Sequence, residues 1–193
     1  MLDALDRRRE EARRAGLPAG VERIRYEWTP RAGLPRAAAP PRVLCRAEPD
    51  DEVFVDLFRR VLSGTLDAAS RKEAALLGAE AQARGDVDFC RDEMPGDRSW
   101  WRIGRTPDGE ILGFVLPSRN QNGPVIGHLG VLPEHRGHGY ADEILAEATR
   151  ILVAGADARV IRADTDVTNV PMAAAFARAG YRATGCRLVL SAP

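Results

Sequence analysis

The sequence predicts a mixed α/β fold, and three observations support that prediction. Several short stretches alternate apolar and polar residues, as half-buried strands do. Other stretches carry apolar residues at helical spacing, with charged residues between them. A glycine-rich loop joins an apolar strand segment to an amphipathic helix, which is the order expected of a strand–helix–strand crossover. The patterns together indicate antiparallel hairpins combined with at least one crossover helix.

Length, charge and cysteine content limit the classes of protein to be considered. A chain of 193 residues can form one domain with a full core, and its formal net charge of zero gives no sign of a nucleic-acid or membrane partner. No apolar signal segment and no membrane-length apolar run is present, so we expect a soluble cytoplasmic protein. Three scattered cysteines without a C-x-x-C pair predict neither a disulfide framework nor a zinc site.

The first 41 residues are expected to form an extension that packs on the main domain and does not fold by itself. They are too few to bury a core of their own. Residues 2–15 are highly charged and predict an exposed helix, residues 21–30 alternate like a short strand, and residues 31–41 are a linker rich in Pro and Ala.

The main domain is expected over residues 42–193, with elements in the following order. The first half is predicted to hold a strand (42–47), a helix capped by Asp50 or Asp51, a second helix (about 68–83), a hairpin (99–105 with 110–117) and a strand (124–131). The second half is predicted to hold a helix starting after Gly139, a strand (159–165), a short helix from Pro171 to Ala179 and a closing strand (181–190).

The loop "RGHGYA", residues 136–141, has the character of a phosphate-binding turn. Its glycines allow backbone amides to approach a ligand, the following helix start favours negative charge, and Arg136 adds a positive charge. A tight turn with glycines for geometry alone is the alternative. A P-loop lysine is absent, and Asp142 stands where the dinucleotide fingerprint needs its third glycine. A third pattern, Gln/Arg-x-x-Gly-x-Gly/Ala, is matched.

On these residues the chain resembles the GNAT superfamily of acyl-CoA-dependent N-acyltransferases. "GVLPEHRGHGYADEIL" (130–145) is similar to its motif A, and "ADTDVTNVPMAAAFARAGY" (163–181) is similar to its motif B. The resemblance implies a mostly antiparallel central sheet that splays between its fourth and fifth strands, with helices on both faces. It also implies that residues 42–193 form the acetyltransferase domain.

The resemblance further implies acetyl-CoA as cosubstrate, no metal, and a primary amine as acceptor. The diphosphate would lie on residues 136–141, and the pantetheine arm would pair with the strand near Leu129–Val131, where the Val131 N–H would stabilise the oxyanion. The implied acetyl-CoA contacts are Leu129, Gly130, Val131, Arg136, Gly137, His138, Gly139, Tyr140, Ala141, Asn169 and Phe176. The resemblance is compatible with a homodimer, although no stretch of the sequence argues for one.

Two positions depart from the family pattern. No titratable side chain shares the face of Val131 on its strand, so His128 is the candidate base only if a bulge shifts the register; otherwise it is a packed histidine. Phe176 stands where the family has a tyrosine that protonates the leaving thiolate. Two functions therefore stay open: an N-acetyltransferase acting on a small amine, an amino acid, an aminoglycoside or a protein N-terminus, and an acyl-CoA-binding sensor with little turnover.

Overall fold

The computed structural model describes residues 2–15, 20–36 and 40–189, and it confirms the mixed α/β prediction. The helices are α1 (Leu2–Arg14), α2 (Asp51–Val61), α3 (Ala68–Leu77), α4 (Ala79–Asp92), α5 (Tyr140–Ala156) and α6 (Val170–Arg178). The strands are β1 (Val21–Trp28), β2 (Leu44–Ala47), β3 (Arg102–Arg105), β4 (Ile111–Asn120), β5 (Gly123–Val131), β6 (Ile161–Asp166) and β7 (Arg182–Val189). The last predicted strand residue, 190, and residues 37–39 of the predicted linker lie outside the described residues.

All seven strands belong to one sheet, in the order β2-β3-β4-β5-β6-β1-β7. Every neighbouring pair is antiparallel except β5 and β6, which are parallel and are joined by the crossover helix α5. The predicted mostly antiparallel sheet is therefore confirmed. β1 comes first in the chain but lies inside the sheet, between β6 and β7. Counted from the edge strand β2, the fourth and fifth strands of the sheet are β5 and β6, and these correspond to the fourth and fifth strands of the family pattern.

The two faces of the sheet carry separate apolar clusters. On one face, the apolar stripe of α5 (Ile144, Leu145, Ala148 and Leu152) packs with residues of β1, β4, β6 and α6. On the other, the stripe of α2 (Phe54, Leu57, Phe58 and Val61) packs with residues of α4, β3 and β4. Each stripe recurs at helical spacing, which is why these helices were readable in the sequence.

The helix expected over residues 68–83 is two helices. Gly78 has φ 87°, a conformation that an α-helix cannot contain, and it separates α3 from α4. Asp67 caps α3 by accepting a hydrogen bond from the Ser70 amide at 2.8 Å. The break redirects the chain so that α4 packs on α2 while α3 reaches towards the end of β6.

Between β1 and β2, residues on both sides of positions 37–39 bond to β1 or to α5. Trp28 Nε1 donates to Gly33 O at 3.0 Å, and Arg150 Nη1 donates to Pro35 O at 3.3 Å. Further on, the amides of Arg42 and Val43 donate to Glu143 Oε2 at 3.1 and 3.2 Å. Glu143 of α5 thereby holds this segment beside the start of its own helix.

Among residues 2–15, 20–36 and 40–189, none of the helices combines the length and the hydropathy that a bilayer-spanning segment requires.

Candidate active site

An open strand edge lies where β5 and β6 diverge. The two parallel strands are paired only at Val125 and Arg162, although β5 continues to Val131. The Leu132 amide donates to Leu112 O of β4 at 2.9 Å. Because successive backbone groups of a strand point to opposite sides, the amides of Leu129 and Val131 face the gap towards β6.

A β-bulge shapes this edge. His128 pairs with Leu116, whereas the next β4 residue, Pro117, pairs with Ile126, so Gly127 is an extra residue in β5. Ile126, Leu129 and Val131 pack on the α5 face of the sheet. The bulge exists, but it does not bring His128 to the face of Val131.

The ring of His128 instead lies on the α2 face. Its centroid is 4.4 Å from that of Phe58 and 5.5 Å from that of Phe114, with which it stacks. Burial lowers the pKa of His128 to about 4. The ring is therefore neutral at pH 7 and binds a proton weakly.

Residues 136–141 form a turn of backbone amides at the start of α5, which we call the glycine cradle. Gly137 and Gly139 have φ of 84° and 79°, in the left-handed region that favours glycine. Gly139 is the N-cap of α5 and supplies no side-chain cap; the Asp142 amide donates to Gly139 O at 3.1 Å, and no capping side chain of residue 139 competes with a ligand for the amides of Tyr140 and Ala141. A Cβ built on Gly137 would meet nothing within 4 Å, which shows that the space before the cradle is open.

The Arg136 side chain points away from this cradle. Its Nε donates to Val131 O at 3.1 Å, its Nη1 to Ser63 O at 2.6 Å and its Nη2 to Val61 O at 2.8 Å. Burial lowers the pKa of its guanidinium. The side chain therefore ties the C-terminal end of α2 to the end of β5, and only the backbone of residue 136 adjoins the loop.

Arg42 supplies the positive charge beside the cradle. Its Nη1 donates to His138 O at 3.2 Å, and its guanidinium carbon lies 5.4 Å from the centroid of the Tyr140 ring. Its Nη2 is 2.6 Å from Glu143 Oε1, and about half of the side chain is exposed. Sequence reasoning missed this residue because it lies almost a hundred positions from the loop and belongs to no motif.

The histidines of the loop do not converge on a common point. His135 Nε2 lies 3.3 Å from Glu110 Oε1, whereas His138 is exposed and its Nδ1 lies 3.3 Å from His135 O. In the part of the chain that the structure describes, no group of three or more metal-ligating side chains occurs.

A cavity of about 1050 Å³ opens from the strand gap towards α3 and α4. His128, Leu129, Asn169 and Phe176 are among the residues that line it. Five carboxylates and two arginines also line it: Asp67, Glu73, Asp86, Glu93, Asp164, Arg23 and Arg187. The cavity is thus continuous from the open edge of β5 to a set of mostly acidic side chains.

The two arginines of the cavity are already neutralised. Arg23 Nε donates to Asp166 Oδ1 at 2.9 Å, and its Nη2 contacts Asp67. Burial by itself would raise the pKa of Asp67, but Arg23 and the Ser70 amide hold it below its usual value. Arg187 Nη2 lies 2.7 Å from Asp164 Oδ2. These pairs leave the remaining carboxylates to set the charge of the cavity.

Asn169 and Phe176 occupy structural positions at the cavity. Asn169 Oδ1 accepts a hydrogen bond from the Met172 amide at 3.3 Å and so caps α6. The Phe176 ring is buried, with its centroid 5.0 Å from that of Tyr26 and 5.4 Å from that of Tyr181. Phe176 packs there and carries no hydroxyl.

This arrangement agrees with the family comparison. The model of the acetyltransferase (GNAT) family matches residues 69–181, and the chain belongs to that family. No curated protein matches the chain.

Solved structures share the fold at low sequence identity. A GCN5-related N-acetyltransferase from Sphaerobacter thermophilus has a TM-score of 0.64 at 16% identity, with 93% of this chain and 53% of that chain covered. A GNAT-family acetyltransferase from Colwellia psychrerythraea has a TM-score of 0.57 at 12% identity, with 89% and 56% covered. A tandem GNAT protein from the clavulanic acid biosynthesis pathway has a TM-score of 0.54 at 19% identity, with 92% and 55% covered. The chain spans little more than half the length of these structures.

Proposed function

We propose that the protein is an N-acetyltransferase that moves the acetyl group of acetyl-CoA to a primary amine by direct attack. The observation that carries this proposal is the open edge of β5, which ends at the glycine cradle and faces a cavity. A strand edge, an amide cradle and a cavity in this order suit a long ligand with a phosphate end and a reactive end.

Residues along the edge of β5 and the glycine cradle would contact successive parts of acetyl-CoA. The amides of residues 137–141 would hold the diphosphate, with Arg42 beside them as a charged donor. The pantetheine arm would pair with the side of β5 that faces the gap, through backbone groups of Leu129 and the Val131 amide, with Gly130 between them. Asn169 and Phe176 would flank the arm from α6.

The chemistry would take place where the open edge of β5 meets the cavity. The neutral amine attacks the thioester carbon, and the Val131 amide stabilises the negative charge that develops on the carbonyl oxygen. The C–N bond forms and the C–S bond breaks, so the thiolate of CoA leaves and takes up a proton. Because Phe176 has no hydroxyl, that proton comes from the amine itself or from water.

Release of free thiol from acetyl-CoA tests this proposal. The purified protein is mixed with acetyl-CoA and a panel of amines, amino acids, aminoglycosides and N-terminal peptides, and CoA binding is measured by calorimetry on the same sample. We expect CoA binding together with acceptor-dependent thiol release. Failure to bind CoA would overturn the proposal.

A sensor that binds acyl-CoA without turnover is the second candidate. The observation in its favour is Phe176, which replaces the hydroxyl that the family uses to protonate the thiolate. Tight CoA binding without thiol release on any acceptor of the panel would favour the sensor, whereas acceptor-dependent release would exclude it.

A further inference from the structure

Within the described residues, three carboxylates of the cavity form no ion pair: Asp86, Glu73 and Glu93; of these, Asp86 is the one oriented by a neighbouring side chain. Asp86 of α4 accepts a hydrogen bond from Gln82 Nε2 at 3.0 Å. Within the ranges that the structure describes, no arginine or lysine nitrogen forms an ion pair with it, in contrast to Asp67 and Asp164. Asp86 therefore carries an uncompensated negative charge when it is ionised.

The carboxylate of Asp86 is held in place rather than free to turn to solvent. Gln82 lies one helical turn earlier and is only 3% exposed, so the donor that orients Asp86 is itself fixed. Asp86 lines the same cavity as Leu129 at the open edge of β5. Asp86 therefore shares one cavity with the β5 edge where the thioester would lie.

The surroundings of Asp86 make its negative charge costly in the absence of a cation. Burial raises the pKa of Asp86 to about 6, against the hydrogen bond from Gln82 and with added repulsion from Glu73 of α3 and Asp67. Above that pH the carboxylate is ionised. A bound ammonium would then offset the free-energy cost that burial and repulsion impose on its negative charge. His128, which lines the same cavity, has a pKa of about 4 and is the weaker proton acceptor.

We propose that Asp86 binds the ammonium group of the acceptor and accepts its proton, and that the acceptor is an amine without a carboxylate beside its amino group. This inference rests on the proposed acetyl transfer. An α-carboxylate would meet Glu73 and Glu93, while both arginines of the cavity are already paired with aspartates. Leu77, Phe89 and Met94 line the cavity as well and suit an apolar carbon skeleton on the amine.

The step balances with these groups alone. The ammonium gives one proton to the Asp86 carboxylate, and the freed lone pair forms the C–N bond. The C–S bond then breaks with its electron pair on sulfur, and a second proton from the nitrogen ends on the CoA thiolate. Asp86 returns its proton to water, so the products are the acetylated amine, CoA thiol and one released proton.

The experiment compares phenethylamine with phenylalanine, which differ by the α-carboxylate, in the wild type and in Asp86→Asn. Asparagine keeps the shape and a partner for Gln82 but removes the charge. Asp88→Asn is the matched control, because Asp88 lies on the same helix and pairs with Arg91 at 2.8 Å outside the cavity. Thiol release is measured from pH 5 to 9, and phenethylamine and CoA binding are measured by calorimetry.

We expect the wild type to prefer phenethylamine to phenylalanine by at least ~10-fold in kcat/KM. Asp86→Asn should lose ~10²-fold in kcat/KM for phenethylamine, with unchanged CoA affinity, while Asp88→Asn behaves as the wild type. The wild-type kcat/KM should fall as the pH drops below about 6, where Asp86 becomes protonated, and this fall should be absent in Asp86→Asn.

The outcomes separate this inference from the proposed function. If the wild type turns over and Asp86→Asn equals it in rate and pH profile, Asp86 has no such role and the transferase stands. A preference for phenylalanine would also overturn the inference. If the wild type acetylates no amine, the proposed function fails. In that case, equal phenethylamine affinities of the wild type and Asp86→Asn in calorimetry would overturn the inference too.

Discussion

The cradle of residues 136–141 and the cavity beside it are built in opposite ways. The cradle is one continuous run of chain, whose two left-handed glycines and helix start present backbone amides. The cavity collects side chains from β1, α3, α4, β5, β6, α6 and β7. A site made of backbone donors can be local, whereas a site made of opposing charges requires distant parts of the chain to meet.

The two arginines nearest the cradle show the same difference. Arg136 belongs to the motif, yet its side chain is used to join α2 to β5. Arg42 lies outside the motif, yet its guanidinium adjoins the loop. The motif therefore predicted the backbone conformation of the loop but not which arginine side chain lies beside it.

The largest expected effect is that of Gly139→Val on the cradle. A β-branched residue at φ 79° is strained, and its side chain would stand against the diphosphate. CoA affinity should fall at least ~100-fold in calorimetry. Gly109→Val is the matched control, since Gly109 has φ 95° with open space around it and lies in the turn between β3 and β4, outside residues 136–141. Unchanged CoA affinity in a folded Gly139→Val protein would refute the cradle.

Arg136→Ala should lower the stability of the fold rather than the affinity for CoA. It therefore separates the role of the Arg136 side chain from that of the backbone amides of the cradle. Removing the guanidinium leaves the carbonyls of Val61, Ser63 and Val131 without their donor. The free energy of unfolding in urea should drop by about 2 kcal/mol.

Arg159→Ala is the control for this change, because its side chain is 80% exposed and makes only a surface ion pair. A stable Arg136→Ala protein that had lost CoA affinity would instead show that Arg136 turns to the phosphates when the ligand binds.

Arg42→Ala should lower CoA affinity ~10-fold at low salt, because a charged donor beside the phosphates is lost. Affinity for S-acetylpantetheine, which lacks the phosphates, should not change. Arg46→Ala, an exposed residue of β2, serves as the control. Equal losses for CoA and S-acetylpantetheine would mean that the substitution disturbs the loop rather than removing a phosphate contact.

The smallest effect is expected for Asn169→Ala. Loss of the N-cap of α6 should lower the free energy of unfolding by about 1 kcal/mol, whereas the exposed neighbour change Thr168→Ala should be near neutral. CoA calorimetry on the same proteins decides whether Asn169 also contacts the cofactor. Reduced CoA affinity with unchanged stability would assign it to the ligand instead of the helix cap.

Much of the fold was predictable because its signals are local. The stripes of α2 and α5, the alternation of β1 and the run of β5 all reflect burial of one face. The break at Gly78 was missed because α3 and α4 are both helical and the pattern continues across it. The internal place of β1 was also missed, since alternation shows that a strand exists but not which strands it pairs with.

The sequence by itself determined the family resemblance, the glycine cradle and the order of the elements, because helix starts, left-handed glycines and amphipathic periods depend on neighbours in the chain. The tertiary structure decided the rest of the site. It placed His128 on the α2 face, engaged Arg136 with carbonyls, brought Arg42 to the cradle and, within the described residues, left Asp86 out of any ion pair. Burial and charge pairing depend on residues far apart in the chain, and only the folded chain brings those residues together.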